Sequence, residues 1–492
     1  MPSILALDSG TTGATALMIR DDGQVTGRAT RELPQHFPRP GWVEHDPLEI
    51  LAAIVGAARD AMAASGERPA GIGITNQRET TLLWDRRTLQ PVAPAIVWQD
   101  RRTADRCREL KSAGLEPRIR ELTGLVLDPY FSGTKLEWLL KDPRLRRRAE
   151  SGELAFGTVD TWLIARLTSG RAHVTDHTNA SRTLLYALKS RTFESELLEL
   201  FGVPAAILPS IVSSSGVVAE SDPDLFGAAL PIAGIAGDQQ AALFGQGCVT
   251  RGAAKNTYGT GAFLLSHTGD TAVPSTHGLL TTAACGPRGE PAFALEGSVL
   301  IAGAAMQWLR DGLGVITAAA ESEALARSVE DTGGVSFVPA FAGLGAPHWE
   351  AEARGTITGL TRGSKRAHLV RAALEAMAFS SAELLEAMEQ DSGSALSVLR
   401  VDGGGSANDW LMQFQADVLG VPVERPEMVE STAMGAGALA GLALGIWKTT
   451  EEFTAARTFR RFEPAMPAAE RKRVRVGWDR AVQAALAWAR GG

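Results

Sequence analysis

Residues 4–19 read ILALDSGTTGATALMI, an apolar run, a single acid, a cluster of Gly and Thr, and a second apolar run. Two β-strands joined by a turn fit this pattern, because Gly supplies unusual backbone angles while Asp and Thr accept local hydrogen bonds. The same residues also fit an anion cradle. Amides freed by a Gly-rich turn would point at a phosphate, and Asp8 would face a metal ion bound to it. The hairpin and the cradle are compatible, and residues elsewhere in the chain decide whether both are present.

The pattern returns once. Residues 252–269, GAAKNTYGTGAFLLSHTG, again read as strand, Gly/Thr turn and strand, and residues 399–420, LRVDGGGSANDWLMQFQADVLG, as strand, Gly turn and helix. Such an echo predicts two domains on one supersecondary plan with their Gly turns facing a shared cleft. The expected division is 1–245 and 246–492, the first carrying the first phosphate turn and the second carrying the others. Asp22-Gly23 signals a further hairpin, so three antiparallel strands are expected at the N-terminus. GIGIT at 71–75 and AIVW at 95–98 read as buried strands whose polar continuations start loops or helices. Strand ends of this kind are where α/β proteins place ligands.

With 492 residues the chain exceeds what one hydrophobic core serves. Its 49 basic and 56 acidic residues, a net charge of −7, argue against a general nucleic-acid binder. A polyphosphate would have to be held by local geometry. Cys107, Cys248 and Cys285 offer neither a disulfide framework nor zinc-ligand spacing, and no secretory signal is apparent, so a cytoplasmic protein is expected. The uncharged stretch STAMGAGALAGLALGIW at 431–447 is short for a membrane span and rich in Gly and Ala. It reads as a tightly packed internal helix, and no membrane insertion is expected. Arg144–Arg148, RLRRR, reads as a solvated helix face.

Neither Gly turn is a Walker loop, since no Lys follows the Gly run. The set DSGTTG, TYGTG and DGGGSAND resembles the two phosphate loops and the adenosine loop of the actin-like ATPase superfamily. Longer strings narrow the resemblance: GWVEHDP (41–47), GIGITNQRETT (71–81), AIVWQDRRTA (95–104), DPYFSGTK (128–135), GTVDTWLI (157–164), GIAGDQQAALFGQ (234–246) and GLGAPHWEAEARGTITGLTRG (343–363). Nearly end to end, the chain resembles the carbohydrate-kinase family, and within it the branch that phosphorylates glycerol. The resemblance implies two actin-like (ribonuclease H-like) α/β domains with mixed sheets flanked by helices and a cleft between them. It further implies ATP-dependent phosphorylation of glycerol to sn-glycerol 3-phosphate, Mg²⁺, and a homodimer or homotetramer.

Carried over residue by residue, the resemblance implies acceptor contacts at Arg78, Glu79, Trp98, Tyr130, Asp238, Gln239 and Phe263, with Asp238 as general base. A small neutral triol needs this mixture of paired polar groups and aromatic walls. Asp8 would hold the water shell of Mg²⁺. Thr11, Thr12, Gly13 and Thr260 would approach phosphate oxygens, and Gly303, Gln307, Gly404 and Asn408 would contact the nucleotide. Residue chemistry alone leaves plainer readings open: Arg78 and Glu79 as a surface ion pair, Asp238 as a helix-terminal acid, the three aromatics as core, and Gln307 as an ordinary polar helix position.

One departure stands out. Where the family's first loop commonly carries Arg, this chain has Thr15, which puts nucleotide affinity in question. Lys255, just before the second turn, is the nearest basic candidate, and reads equally as an exposed strand lysine. Two other functions fit the same motifs: a kinase for another polyol or a ketose, and a catalytically silent ATP-binding sensor. The second would need neither the aromatic set nor an alcohol-activating acid.

Overall fold

The computed structural model describes residues 1–428 and 430–491. The N-terminal half is built on a six-stranded mixed sheet of β1 (Ser3–Ser9), β2 (Gly13–Arg20), β3 (Val25–Glu32), β4 (Gly71–Asn76), β5 (Ser215–Glu220) and β6 (Pro231–Gly237), in the order β5-β6-β4-β1-β2-β3. β1, β2 and β3 are antiparallel neighbours, as the turn signals predict, while β1, β4 and β6 run parallel. Ile4, Leu5, Ala6 and Leu7 are all fully buried, as expected for a central strand covered on both faces.

The second sheet repeats the central part of this order with other residues and differs at its edges. It comprises β7 (Ala254–Tyr258), β8 (Ala262–Gly269), β9 (Leu280–Cys285), β10 (Pro291–Val299), β11 (Leu399–Asp402), β12 (Val423–Pro426) and β13 (Phe459–Phe462), ordered β9-β10-β8-β7-β11-β12-β13. β7 pairs antiparallel with β8 and parallel with β11, just as β1 pairs with β2 and β4. The sequence echo is therefore a structural one, and the expected pair of α/β units with mixed sheets is present.

Six helices position the site: α1 (Pro47–Ser65), α2 (Asp238–Gly245), α3 (Gly303–Asp311), α4 (Glu321–Arg327), α5 (Asp409–Leu419) and α6 (Ser431–Ala443). α1 begins where Asp46 accepts from the Leu48 amide with Pro47 following, and stops at Gly66 in the left-handed region. α6 is the Gly/Ala-rich segment, and it is buried along most of its length. It packs on β1, β4 and β6 of the first sheet and along α2. The second half thereby returns a helix to the first. A Cβ on Gly73 would strike the α6 backbone at Ala436, so only glycine lets strand and helix approach this closely.

AIVW does not join either large sheet. Only Ala95–Ile96 is extended, pairing with Glu44–His45 in a two-stranded ladder. The run ends because the Trp98 amide donates to Thr80 Oγ1 and its ring turns toward the first Gly turn. The RLRRR segment lies on the helix Pro143–Glu150, where Arg148 reaches Asp85. Among the described residues, no helix is long and apolar enough to cross a membrane.

Candidate active site

β1, β4 and β6 run side by side in the same direction, with Asp8 level with Thr75 and Asn76 level with Gly237. Their C-terminal ends therefore deliver Asp8, the 76–79 segment and Asp238 to one edge of the sheet, the edge at which open α/β sheets bind ligands. Burial, reinforced by the negative charge of Asp238, pushes the Asp8 carboxyl up to about 7. The turn after Asp8 is closed by the Gly10 amide donating to the Gly13 carbonyl at 3.0 Å. Gln77 Nε2 donates to the Gly10 carbonyl at 3.2 Å, and Trp98 Nε1 donates to Thr11 Oγ1 at 2.9 Å. Thr12 is left exposed. Hairpin and presented loop are thus one object.

Arg78 and Glu79 are buried, at 2% and 1% exposure, so the reading as a surface pair fails. Both belong to a charged cluster that spans the two halves. Arg78 donates through Nη1 and Nη2 to the two carboxylate oxygens of Glu296 on β10 at 2.6 and 3.0 Å, and its Nε lies 3.1 Å from Asp238 Oδ1. Arg182 donates through Nε to Glu79 at 2.6 Å and through Nη2 to Glu296 at 3.0 Å. Burial alone would raise Glu296, but Arg182 and Arg78 outweigh it and hold its carboxyl down to about 2. Burial dominates at Glu79, whose carboxyl is raised despite Arg182 and Arg78. Glu79 also has φ of 61°, a left-handed angle that costs a non-glycine residue on the order of 1–3 kcal/mol. The surrounding ion pairs and the Ser132 hydroxyl, which donates to the Glu79 carbonyl at 2.9 Å, hold it there.

Asp238 is the first residue of α2, where a negative charge suits the helix dipole, and its Oδ1 accepts from the Gln239 amide at 2.7 Å. Its side chain is 31% exposed while its partner Arg78 is buried, so the acid sits at the mouth of the cluster. Trp98 and Tyr130 meet edge to face, centroids 5.5 Å apart at 89°. Arg182 lies 5.6 Å from the Tyr130 ring, and Lys135 Nζ donates to the Tyr130 carbonyl at 2.6 Å. Phe263 comes from β8 in the other half, half-buried and opposite Thr257.

The second half brings its own loops to one place. β7 and β11 are parallel neighbours, level at Thr257 and Asp402, so the 258–261 and 403–405 turns lie side by side. Gly403 has φ of 81°, and a Cβ there would meet the Tyr258 carbonyl. α3 starts against the 258–261 turn: the Gly303 amide donates to the Gly259 carbonyl, and those of Ala302 and Ala304 donate to the Thr260 carbonyl, all at 2.9–3.0 Å. Thr260, Gln307 and Gly404 are exposed. Asn408 caps α5, with Oδ1 accepting from the Leu411 amide at 2.9 Å and Nδ2 donating to Ser322 of α4 at 3.1 Å.

Lys255 is not an exposed strand lysine. It is fully buried, and its Nζ donates to Gln239 Oε1 at 2.5 Å and to Thr257 Oγ1 at 2.8 Å. Burial pulls its ammonium down to about 8, against the attraction of Asp402 and Asp238. Arg182 and Glu296 carry no local sequence signal for a ligand contact, and Lys255, the nearest basic candidate for the phosphates, meets Gln239 and Thr257. For Glu296 the sequence shows only an acid within the apolar strand AFALEGSVL.

Two repeated α/β units, one presenting a buried acid and a Gly turn and the other two further Gly turns, form the architecture of a carbohydrate kinase. The chain belongs to the FGGY family of carbohydrate kinases: the family's N-terminal domain matches residues 3–245 and its C-terminal domain residues 254–444. It is 56% identical over 491 residues to a glycerol kinase of Carboxydothermus hydrogenoformans, covering 99% of this chain and 98% of that one. It is 55% identical over 491 residues to a glycerol kinase of Symbiobacterium thermophilum, covering 99% of each. The structure superposes on the glycerol kinase of Plasmodium falciparum crystallised with ADP with a TM-score of 0.94 at 35% identity, covering 99% of this chain and 98% of the other.

Proposed function

We propose that the protein transfers the γ-phosphoryl group of ATP to a terminal hydroxyl of glycerol, giving sn-glycerol 3-phosphate, with Asp238 as general base. The observation that carries this reading is the placement of Asp238. It projects from the end of a parallel strand, tethered to Arg78 at 3.1 Å, in the same ligand-binding edge as Asp8 and its Gly turn. Glycerol would be recognised by Arg78, Glu79 and Gln239 and walled by Trp98, Tyr130 and Phe263. The identity to glycerol kinases over 99% of the chain supports glycerol over another polyol.

Phosphoryl transfer to an alcohol needs alignment, charge neutralisation and removal of one proton. Main-chain amides and hydroxyls of Thr11, Thr12, Gly13 and Thr260 would grip the phosphates, with Gly303, Gln307, Gly404 and Asn408 around the nucleoside. The donor chemistry fits Mg²⁺: the buried Asp8 carboxyl feels the charge of Asp238, and a hard cation with water and phosphate ligands would relieve that repulsion. When bound, the ion neutralises charge on the phosphate oxygens. Asp8 would hold its water shell, and Asp238 would take the hydroxyl proton. The cysteines are free and buried, which supports a cytoplasmic setting. The two domains are taken to meet near residue 245, and a homodimer or tetramer is the expected assembly.

ADP release from ATP, Mg²⁺ and a panel of polyols and ketoses tests the assignment. Glycerol should be turned over best, with ATP consumption low in its absence; glycerol-independent turnover would favour the sensor reading. Asp238→Asn should lower kcat by ~10²–10⁴-fold while ADP still binds. Undiminished turnover by that variant would remove Asp238 from the role of base.

A further inference from the structure

Strand register places a set of side chains from the second half on one face. Lys255 on β7 is level with Leu265 on β8, which is level with Glu296 on β10; the next row is Thr257, Phe263 and Ser298. Directly paired residues, and those two apart along each strand, point the same way. Lys255, Thr257, Phe263 and Glu296 therefore share the face from which Glu296 and Lys255 reach into the first half. Each meets a residue assigned above to glycerol recognition. Glu296 accepts one hydrogen bond from each terminal nitrogen of Arg78, Nη1 also donates to Gln240 Oε1 at 3.2 Å, and Nε faces Asp238. Lys255 occupies Oε1 of Gln239. An ammonium only donates, so it dictates which end of the amide it meets: the oxygen is held by Lys255 and the NH₂ group is turned elsewhere.

We propose that Glu296 and Lys255 are positioning residues for the acceptor. Working from the second domain, they hold Arg78 and Gln239 of the first in the orientation that receives a polyol hydroxyl. The pocket is then assembled only when the two halves are in register, so acceptor affinity reports on the junction between them. Both groups are fully enclosed, and the connections cross 218 residues from Arg78 to Glu296 and 16 from Gln239 to Lys255. The 258–261 turn follows β7 three residues after Lys255 and the 403–408 segment follows β11, but the hydrogen bonds of Lys255 and Glu296 go to Gln239, Thr257, Arg78 and Arg182, outside both segments.

The inference rests on the assignment of Arg78 and Gln239 as acceptor contacts, and the test separates the two. Wild-type turnover first identifies the polyol used, which judges the substrate assignment independently. The variants are then compared with that polyol. Lys255→Met should raise its KM by about tenfold or more, with ADP affinity within about twofold of wild type. In a Gln239→Ala background the same substitution should change KM by less than about twofold, because its effect is transmitted through Gln239. Glu296→Gln should likewise raise KM by about tenfold or more with ADP binding retained. An equal Lys255→Met penalty in both backgrounds, or an unaltered KM in Glu296→Gln, overturns the positioning role. Either arm decides if the other variant fails to fold.

Discussion

Asp8 is a carboxylate at the end of a buried strand, with a second carboxylate's charge nearby, and the fold holds it up to about 7 chiefly by burial. A folded-state value above the unfolded one of ~3.9 means that the folded protein binds an extra proton between those limits. Stability associated with Asp8 is therefore lost as pH rises through about 7. Asp8→Asn should gain stability over wild type as pH rises from ~3.9 to about 7, so that its advantage in chelator is ~2–3 kcal/mol larger at pH 8 than at pH 5, and it should abolish phosphorylation at both. Urea melts at the two pH values check this. Thr15 offers a second test at this scale. It stands directly across the β1–β2 pair from Asp8, and its hydroxyl is 3.0 Å from that of Thr30. An arginine there would place a cation beside the Gly turn proposed to grip the phosphates. Thr15→Arg should tighten ADP binding in titration calorimetry, by ~3–10-fold for one added charge-assisted contact. Unchanged or weaker binding would mean that the turn already supplies what the phosphates need.

α6 shows what composition can reveal about an element. Its Gly and Ala content marks it as tightly packed, and the reason is backbone proximity: a Cβ on Gly435 would run into the Ala241 carbonyl of α2, and one on Gly245 into the Ser431 carbonyl of α6. Gly435→Ala should destabilise the protein by ~1–3 kcal/mol through overpacking, with the urea midpoint lowered. The three Gly turns and their flanking strands were legible for a similar reason, since a turn that presents amides must be written in Gly and Thr whatever surrounds it. The strand read over 95–98 stops after Ile96, because Trp98 is recruited by Thr11, 87 residues away, and not by a neighbouring strand. The plainer reading of Arg78 and Glu79 as a surface ion pair fails for the same cause. Their partners, Glu296 and Arg182, lie 218 and 103 residues away, and no local pattern encodes such a pairing. Lys255 looks like any lysine on a strand until the opposite half supplies Gln239.

For the whole molecule, the buried cluster of Arg78, Glu79, Arg182 and Glu296 joins the two halves, and α6 joins them again from the other direction. A buried ion pair is weak support for stability in itself, yet removing one partner leaves an uncompensated charge and is costly. Glu296 makes this measurable, because its carboxyl is held at about 2 in the fold. In the unfolded chain it would titrate near ~4.3. A depressed folded value gives stability that is complete above the unfolded one and is lost as pH falls toward about 2. The stability gap between wild type and Glu296→Gln should therefore be constant from pH 8 to pH 5. Below ~4.3 it should shrink by about 1.4 kcal/mol per pH unit. Titrating groups remote from Glu296 are common to both proteins and cancel in the difference, whereas Glu79 and Lys255 feel its charge and add a smaller dependence of their own. Urea denaturation of the pair at pH 6 and pH 3.5 reads the slope directly; a gap that stays constant between them would show that Glu296 is not held ionised by the two arginines.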